Sequence, residues 1–93
     1  MHDMKNFTKT PLQKLKQLKI GEKIQLLTFK KDRKIILVKK DLNLYKVIED
    51  GFEYKEFDNI NYEKLEVLLK QMQHVEFPRS NKFYLEVIEN KTP

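Results

Sequence analysis

The sequence predicts an α+β domain: an antiparallel four-stranded β-meander between a short N-terminal helix and a longer C-terminal helix, followed by a fifth strand. Two stretches carry apolar residues at helical spacing. Between them lie short runs of β-branched and aromatic residues, separated by clusters of turn-forming residues. The predicted element order is therefore α-β-β-β-β-α-β. No linker and no internal repeat divides the 93 residues, so we expect residues 1–93 to form a single domain.

The first predicted helix begins at the segment Thr10–Gln13. This segment offers a hydroxyl N-cap, a proline at the first helical position and a glutamine that completes a capping box. Gly21 is expected to end the helix after about Ile20, because glycine tolerates the left-handed conformation found at helix ends. The stripe that docks this helix consists of Leu12, Leu15 and Leu18.

The four strands of the meander are predicted from short apolar runs and the breaks between them. The strands are expected at about 23–30, 34–40, 43–49 and 52–57. The breaks are Lys31–Arg33, Asp41–Asn43 and Asp50–Gly51. Since each break is short enough for a hairpin, neighbouring strands should be antiparallel, and the Asp-Gly pair is the strongest hairpin signal.

The second half of the chain predicts the longer helix and the last strand. Asn61 is a suitable N-cap, and the helix must end before Pro78, which disfavours helical geometry at the preceding residue. Residues 82–89 alternate between apolar and polar side chains and predict the fifth strand. We expect disordered tails at residues 1–9 and 90–93.

The first two strands of the meander carry apolar side chains on both faces. In the first strand Ile24 and Leu26 lie on one face and Leu27 and Phe29 on the other, and the second strand, Ile35–Val38, shows the same pattern. Both faces of this part of the sheet therefore need a cover, either one helix on each face or a second copy of the protein.

Composition excludes several classes of protein. The longest aliphatic run, Ile35–Val38, is far shorter than a membrane-spanning helix, so we expect no membrane contact. The first ten residues show no secretory signal and the chain lacks cysteine, which favours the cytosol. The only glycines are Gly21 and Gly51, so a glycine-rich phosphate loop is excluded. No cofactor and no metal site are expected.

The charge of the chain is unevenly distributed. Residues 1–46 contain 13 Lys+Arg and 4 Asp+Glu, net +9, whereas residues 47–93 contain 6 and 10, net −4. A first half this basic predicts a non-enzymatic module that binds a nucleic-acid backbone, with single-stranded DNA or RNA as partner and Tyr45 and Tyr54 as the available base-stacking residues. The predicted binding residues are Lys30, Lys31, Arg33, Lys34, Lys39 and Lys40.

Three other readings of the same residues stay open. Glu49 and Asp50 belong to a turn at the same end of the meander as Lys31 and Arg33, so the two halves of the chain could neutralise each other. The chain could instead be a protein interaction or assembly module, for example a homodimer. A metal-independent ribonuclease is a third function, with a site built from His74, Arg79, Lys82 and Tyr84.

In element order, residues from about 23 to 75 resemble the single-stranded-DNA-binding family of the transcriptional coactivator and Whirly type. Members of that family pair as dimers through their helices. The resemblance implies a single-stranded ligand and a dimer, and it assigns no site residue to this chain. The leading helix and the fifth strand depart from the family's pattern.

Overall fold

A computed structural model describes residues 1–88 and shows the predicted α+β class. The helices are α1 (Lys9–Gln17) and α2 (Tyr62–Glu76), and a short 3-10 helix spans Met4–Asn6. The strands are β1 (His2–Asp3), β2 (Lys23–Leu27), β3 (Lys34–Asp41), β4 (Leu44–Asp50), β5 (Tyr54–Ile60) and β6 (Lys82–Ile88). They form one antiparallel sheet in the order β1-β6-β2-β3-β4-β5, so the described chain has six strands and not the five expected.

The N-terminal segment is ordered where a disordered tail was expected at residues 1–9. β1 pairs with the start of β6, and the Met4 amide donates to the Asn81 carbonyl at 2.9 Å. Phe7 is buried, with its ring centroid 4.9 Å from that of Phe77 and 5.1 Å from that of Phe83. This three-ring cluster anchors the segment through partners some 70 residues away, which no local pattern reveals. The other predicted tail, residues 90–93, lies outside the described residues.

Helix α1 begins and ends earlier than predicted. Thr8, and not Thr10, takes the N-cap position. Pro11 falls in the first turn, where a backbone N–H has no partner within the helix, so the missing N–H of proline costs no hydrogen bond. The helix ends at Gln17, because Leu18 adopts an extended conformation, and the ammonium of Lys39 lies 3.4 Å from Leu15 O and 2.9 Å from Leu18 O at this end.

Two loops of the meander are longer than predicted. β2 ends at Leu27, and the six-residue loop that follows closes on itself: the Thr28 hydroxyl donates to Asp32 Oδ1 at 2.7 Å and the Lys31 amide donates to Thr28 O at 2.9 Å. β5 begins only at Tyr54, so residues 51–53 form the turn after β4. Phe29 and Phe52, expected in strands, therefore lie in loops.

Helix α2 matches its prediction closely. The Asn61 side chain caps it by accepting a hydrogen bond from the Lys64 amide at 2.8 Å. The helix ends at Glu76, two residues before Pro78.

Both helices pack on the same face of the sheet. One hydrophobic core joins α1, α2 and the inward side chains of the strands, including Leu15, Leu69, Ile24, Ile35, Val47 and Phe83. Of the two covers expected from the sequence, one helix on each face is therefore wrong, and a second copy of the protein stays a prediction. The second face keeps half-buried aliphatic side chains at Ile36, Val38 and Ile48. We call this second face the open face. No helix within residues 1–88 is long and apolar enough to cross a lipid bilayer.

Candidate nucleic-acid interface

A cleft of about 720 Å³ opens at one end of the sheet, where three loops meet. The loops are residues 28–33 after β2, residues 51–53 after β4 and residues 77–81 before β6. The charged and aromatic residues that could contact a ligand there are Phe29, Lys30, Arg33, Phe52, Arg79 and Lys82.

Sheet topology brings these loops together. In the antiparallel meander the turns after β2 and β4 fall at the same end, as the pairing of Lys34 with Asp50 shows. β6 enters the sheet beside β2, with Tyr84 opposite Leu27, so the loop before β6 reaches the same end. The hydrogen bond from the Met4 amide to the Asn81 carbonyl then holds that loop against the N-terminal segment.

Two phenylalanine rings of the cleft are largely open to solvent. Phe29 is 64% exposed and Phe52 is 65% exposed. The Phe29 ring stacks on Tyr84 with 6.4 Å between centroids, and the guanidinium carbon of Arg33 lies 3.5 Å from the centroid of Phe52. An exposed apolar ring that is held in place offers a stacking surface, and both rings have this character.

The cleft is positively charged. Lys30, Arg33, Arg79 and Lys82 face one lining carboxylate, Asp32. The hydrogen bond from the Thr28 hydroxyl lowers the pKa of Asp32, and the charges of Arg33 and Lys30 add to this effect. At the rim Lys82 lies 3.7 Å from Asp3, with both side chains about half exposed, so solvent weakens this pair.

Of the six predicted binding residues, the structure places two in the cleft and two beside it. Lys30 and Arg33 line the cleft. Lys31 and Lys34 turn toward the open face, where Lys31 pairs with Glu86 at 3.6 Å and lies 4.9 Å from the Tyr84 ring centroid. Lys34 pairs with Asp50 at 3.9 Å.

The remaining two predicted residues are separate from the cleft. Lys39 is only 7% exposed and its ammonium is engaged at the end of α1, so it cannot reach a ligand. Lys40 is exposed but lies at the far end of β3, about 20 Å from Lys34 at the usual rise of a strand. The six residues therefore do not form one surface.

The expected stacking and neutralising residues are also placed differently. Tyr45 is buried in the core, and Tyr54 is exposed on β5, where its hydroxyl donates to Glu56 at 3.1 Å. Asp50 reaches Lys34, not Lys31 or Arg33, and Glu49 is buried. The first half of the chain is thus neutralised in part, mostly on the open face.

Sequence reasoning missed Phe29 and Phe52, and it named Arg79 and Lys82 only as residues of a ribonuclease site. Phe29 directly precedes the charged stretch Lys30–Lys34, and Phe52 directly follows Asp50–Gly51. An aromatic residue adjoining a turn signal at the predicted end of a strand is the pattern that would have indicated loop placement for both.

The turn that carries Phe52 is held by the buried carboxylate of Glu76, and a second buried carboxyl group, Glu49, lies nearby. Glu76, 0% exposed, accepts hydrogen bonds from the Phe52 amide at 2.7 Å and the Glu53 amide at 3.3 Å. A Cβ at Gly51 would overlap Glu76 Oε1, so only glycine lets the turn approach this closely. Arg33 Nη1 donates to the Glu76 carbonyl at 3.0 Å and ties the first loop to the same point.

The two carboxyl groups share their environment but differ in protonation. Burial, the hydrogen bond to Glu76 and the charge of Glu76 together raise the pKa of Glu49 from 4.5 to about 7, with burial the largest cause. Burial also opposes ionisation of Glu76, yet the hydrogen bonds from Glu49, Phe52 and Glu53 outweigh it and lower the pKa of Glu76. Glu49 is therefore the proton donor of the pair.

The residues considered for a ribonuclease are divided. Arg79 and Lys82 line the cleft, and Tyr84 stacks on Phe29 beside it, whereas His74 is exposed on α2 and is not among the cleft-lining residues. In residues 1–88 no group of three His, Asp or Glu side chains could hold a metal ion.

Comparison with family models, with curated protein sequences and with solved structures finds no match for the chain.

Proposed function

We propose that the chain is a non-enzymatic module that binds single-stranded nucleic acid in this cleft. Lys30, Arg79 and Lys82 contact phosphates, and Phe29 and Phe52 stack on bases. The observation that supports the proposal is the presence of two largely exposed phenylalanine rings among four cations in one cleft. The proposed binding residues do not include Lys39, which is buried, or Lys40, which lies far from the cleft.

A single strand suits the cleft better than a duplex. Ring faces such as those of Phe29 and Phe52 stack only on bases that are not already stacked in a helix. Specific recognition of guanine by two hydrogen bonds from Arg33 has little support. The Arg33 guanidinium already donates to the Glu76 carbonyl and lies over one face of the Phe52 ring. The proposal is therefore a sequence-tolerant binder, in keeping with the cytosolic location expected from the sequence.

Charge reversal in the cleft should weaken binding. We expect the double variant Lys30→Glu, Arg79→Glu to bind a fluorescein-labelled oligo(dT) or oligo(U) at least about tenfold more weakly at low salt, with a shallower salt dependence. Fluorescence anisotropy across a salt series measures both effects. The matched control is Lys9→Glu, Lys40→Glu, which changes the net charge equally at exposed positions outside the cleft lining. The proposal fails if wild-type protein does not bind at low salt, or if both double variants lose affinity equally.

Removal of either exposed ring should weaken binding without unfolding the protein. Phe29→Ala and Phe52→Ala are each expected to reduce affinity about tenfold, since stacking on an aromatic ring contributes about 1–3 kcal/mol per base. Anisotropy measures the affinity, and urea denaturation checks that stability is preserved. Phe57→Ala, at a half-buried ring outside the cleft, is the control that should not change affinity. Unchanged binding in both cleft variants would contradict a stacking role.

The open face supports a second candidate, a protein interaction module that forms a homodimer. Within residues 1–88, neither α1 nor α2 packs over its aliphatic residues Ile36, Val38 and Ile48. Its charges are balanced in pairs, such as Lys46 with Glu56 at 2.9 Å, which suits a protein surface better than a polyanion. Light scattering separates the candidates: a concentration-dependent dimer lost in Ile48→Lys supports the interface, and a monomer at all concentrations counts against it.

A further inference from the structure

Two buried glutamates, Glu49 and Glu76, lie next to the turn that bears Phe52. The turn bearing Phe52 is held at the end of α2 by the Glu76 carboxylate, which accepts from two turn amides. Glu49 lies beside it on β4, 3% exposed, and its Oε2 is buried with no hydrogen-bond partner among the described residues. Glu49 and Glu76 interact through a hydrogen bond while one of them is protonated, and their charges repel each other when both are ionised.

The charges around the pair do not replace that proton. From the turn Glu53 adds a further negative charge, and from β5 Lys55 opposes it while pairing with Glu53 at 2.9 Å. From β3 the residue opposite Glu49 is the apolar Ile35. Arg33 acts on Glu76 and not on Glu49, because it contacts the carbonyl at the helix end. No cation among these groups bonds to Glu49, so after loss of its proton only the charge of Lys55 offsets part of the repulsion.

We propose that Glu49 and Glu76 form a proton-dependent latch that keeps the Phe52 turn in the cleft-forming position and thereby makes the affinity for single-stranded nucleic acid depend on pH. With the proton in place, Glu49 donates to Glu76 and Glu76 holds the Phe52 and Glu53 amides. Without it the carboxylates separate, the two amides lose their acceptor, and Phe52 leaves the Arg33 guanidinium. This regulation rests on the proposed function of the cleft.

The pH range over which the latch opens follows from the pKa of Glu49. Its pKa of about 7 means that the latch is mostly closed at pH 6 and mostly open at pH 8. When only a fraction of molecules is competent to bind, the apparent dissociation constant rises by the inverse of that fraction. Between pH 6 and pH 8 we therefore expect affinity to fall by about tenfold.

The test compares a parent protein that keeps Glu49 with Glu49→Gln, whose amide can donate to Glu76 at every pH. Both proteins carry His2→Gln and His74→Gln, so that no histidine side chain contributes to the comparison. Backbone NMR follows the Phe52 and Glu53 amides from pH 5.5 to 8.5, and anisotropy follows binding to oligo(dT). We expect both amides and the affinity to titrate together in the Glu49 protein and to stay constant in Glu49→Gln.

The two readouts separate failure of the latch from failure of the binding function. If oligo(dT) binds but the two amides do not titrate, or if Glu49→Gln keeps the same pH dependence of affinity, the latch is wrong. If oligo(dT) does not bind at any pH, the proposed function and its regulation both fail, and titrating amides then show only a pH-sensitive turn.

Discussion

Glu76→Ala is expected to lower the free energy of unfolding by about 3 kcal/mol, a large part of the stability of a domain of this size. The substitution removes the acceptor for the Phe52 and Glu53 amides and for the Glu49 proton, and it leaves a cavity under the turn. The loss should appear in urea denaturation as a lower midpoint with a similar slope.

The control for this prediction lies on the same helix. Glu66 is exposed and pairs with Lys70 at 3.4 Å one turn away, so Glu66→Ala should cost less than about 0.5 kcal/mol. Glu76→Gln, which keeps one oxygen for the Phe52 amide, should fall between the two. Similar losses for Glu76→Ala and Glu66→Ala would show that the buried carboxylate does not support the fold.

The stability of the wild-type protein is expected to fall as pH rises from 5 to 8. Glu49 has a folded-state pKa of about 7 against an ordinary value of 4.5, so the folded state binds the extra proton in this range. Its contribution is complete below pH 4.5 and is lost as pH rises through 7, a change of about 3 kcal/mol. Glu76 has a lowered pKa and therefore stays ionised in both states over this range.

Urea denaturation at half-unit steps of pH measures this slope. In Glu49→Gln the decline between pH 5 and 8 should largely disappear, because the amide cannot ionise. A wild-type protein whose stability is constant or rises with pH over this interval would contradict a protonated Glu49.

The sequence predicted what depends on neighbours along the chain and missed what depends on distant contacts. The cap at Asn61 and the stop before Pro78 are local, and both appear in α2. The ordered N-terminal segment depends on β6, and the Lys39 ammonium at the end of α1 comes from another element, so neither contact is visible in any short window of sequence.

The candidate site shows the same division. The sequence identified the first turn as cationic, and Lys30 and Arg33 do line the cleft. It could not show that Lys39 points inward. β3 carries apolar side chains on both faces, so the sequence alone does not reveal which face, with or without Lys39, packs on the core. Arg79 joins the site through the placement of β6, which is a property of the whole sheet.

The position of β6 also affects how the protein folds. β2 to β5 can pair through successive hairpins, whereas β6 must cross from the end of α2 to lie between β1 and β2, closing contacts across some 60 residues. Such long-range pairing is slow relative to hairpin formation. The meander can therefore form early in the folding of the chain, while the third loop of the cleft takes its place only when β6 pairs with β2. A mutation that slows this step delays the appearance of the cleft more than that of the meander.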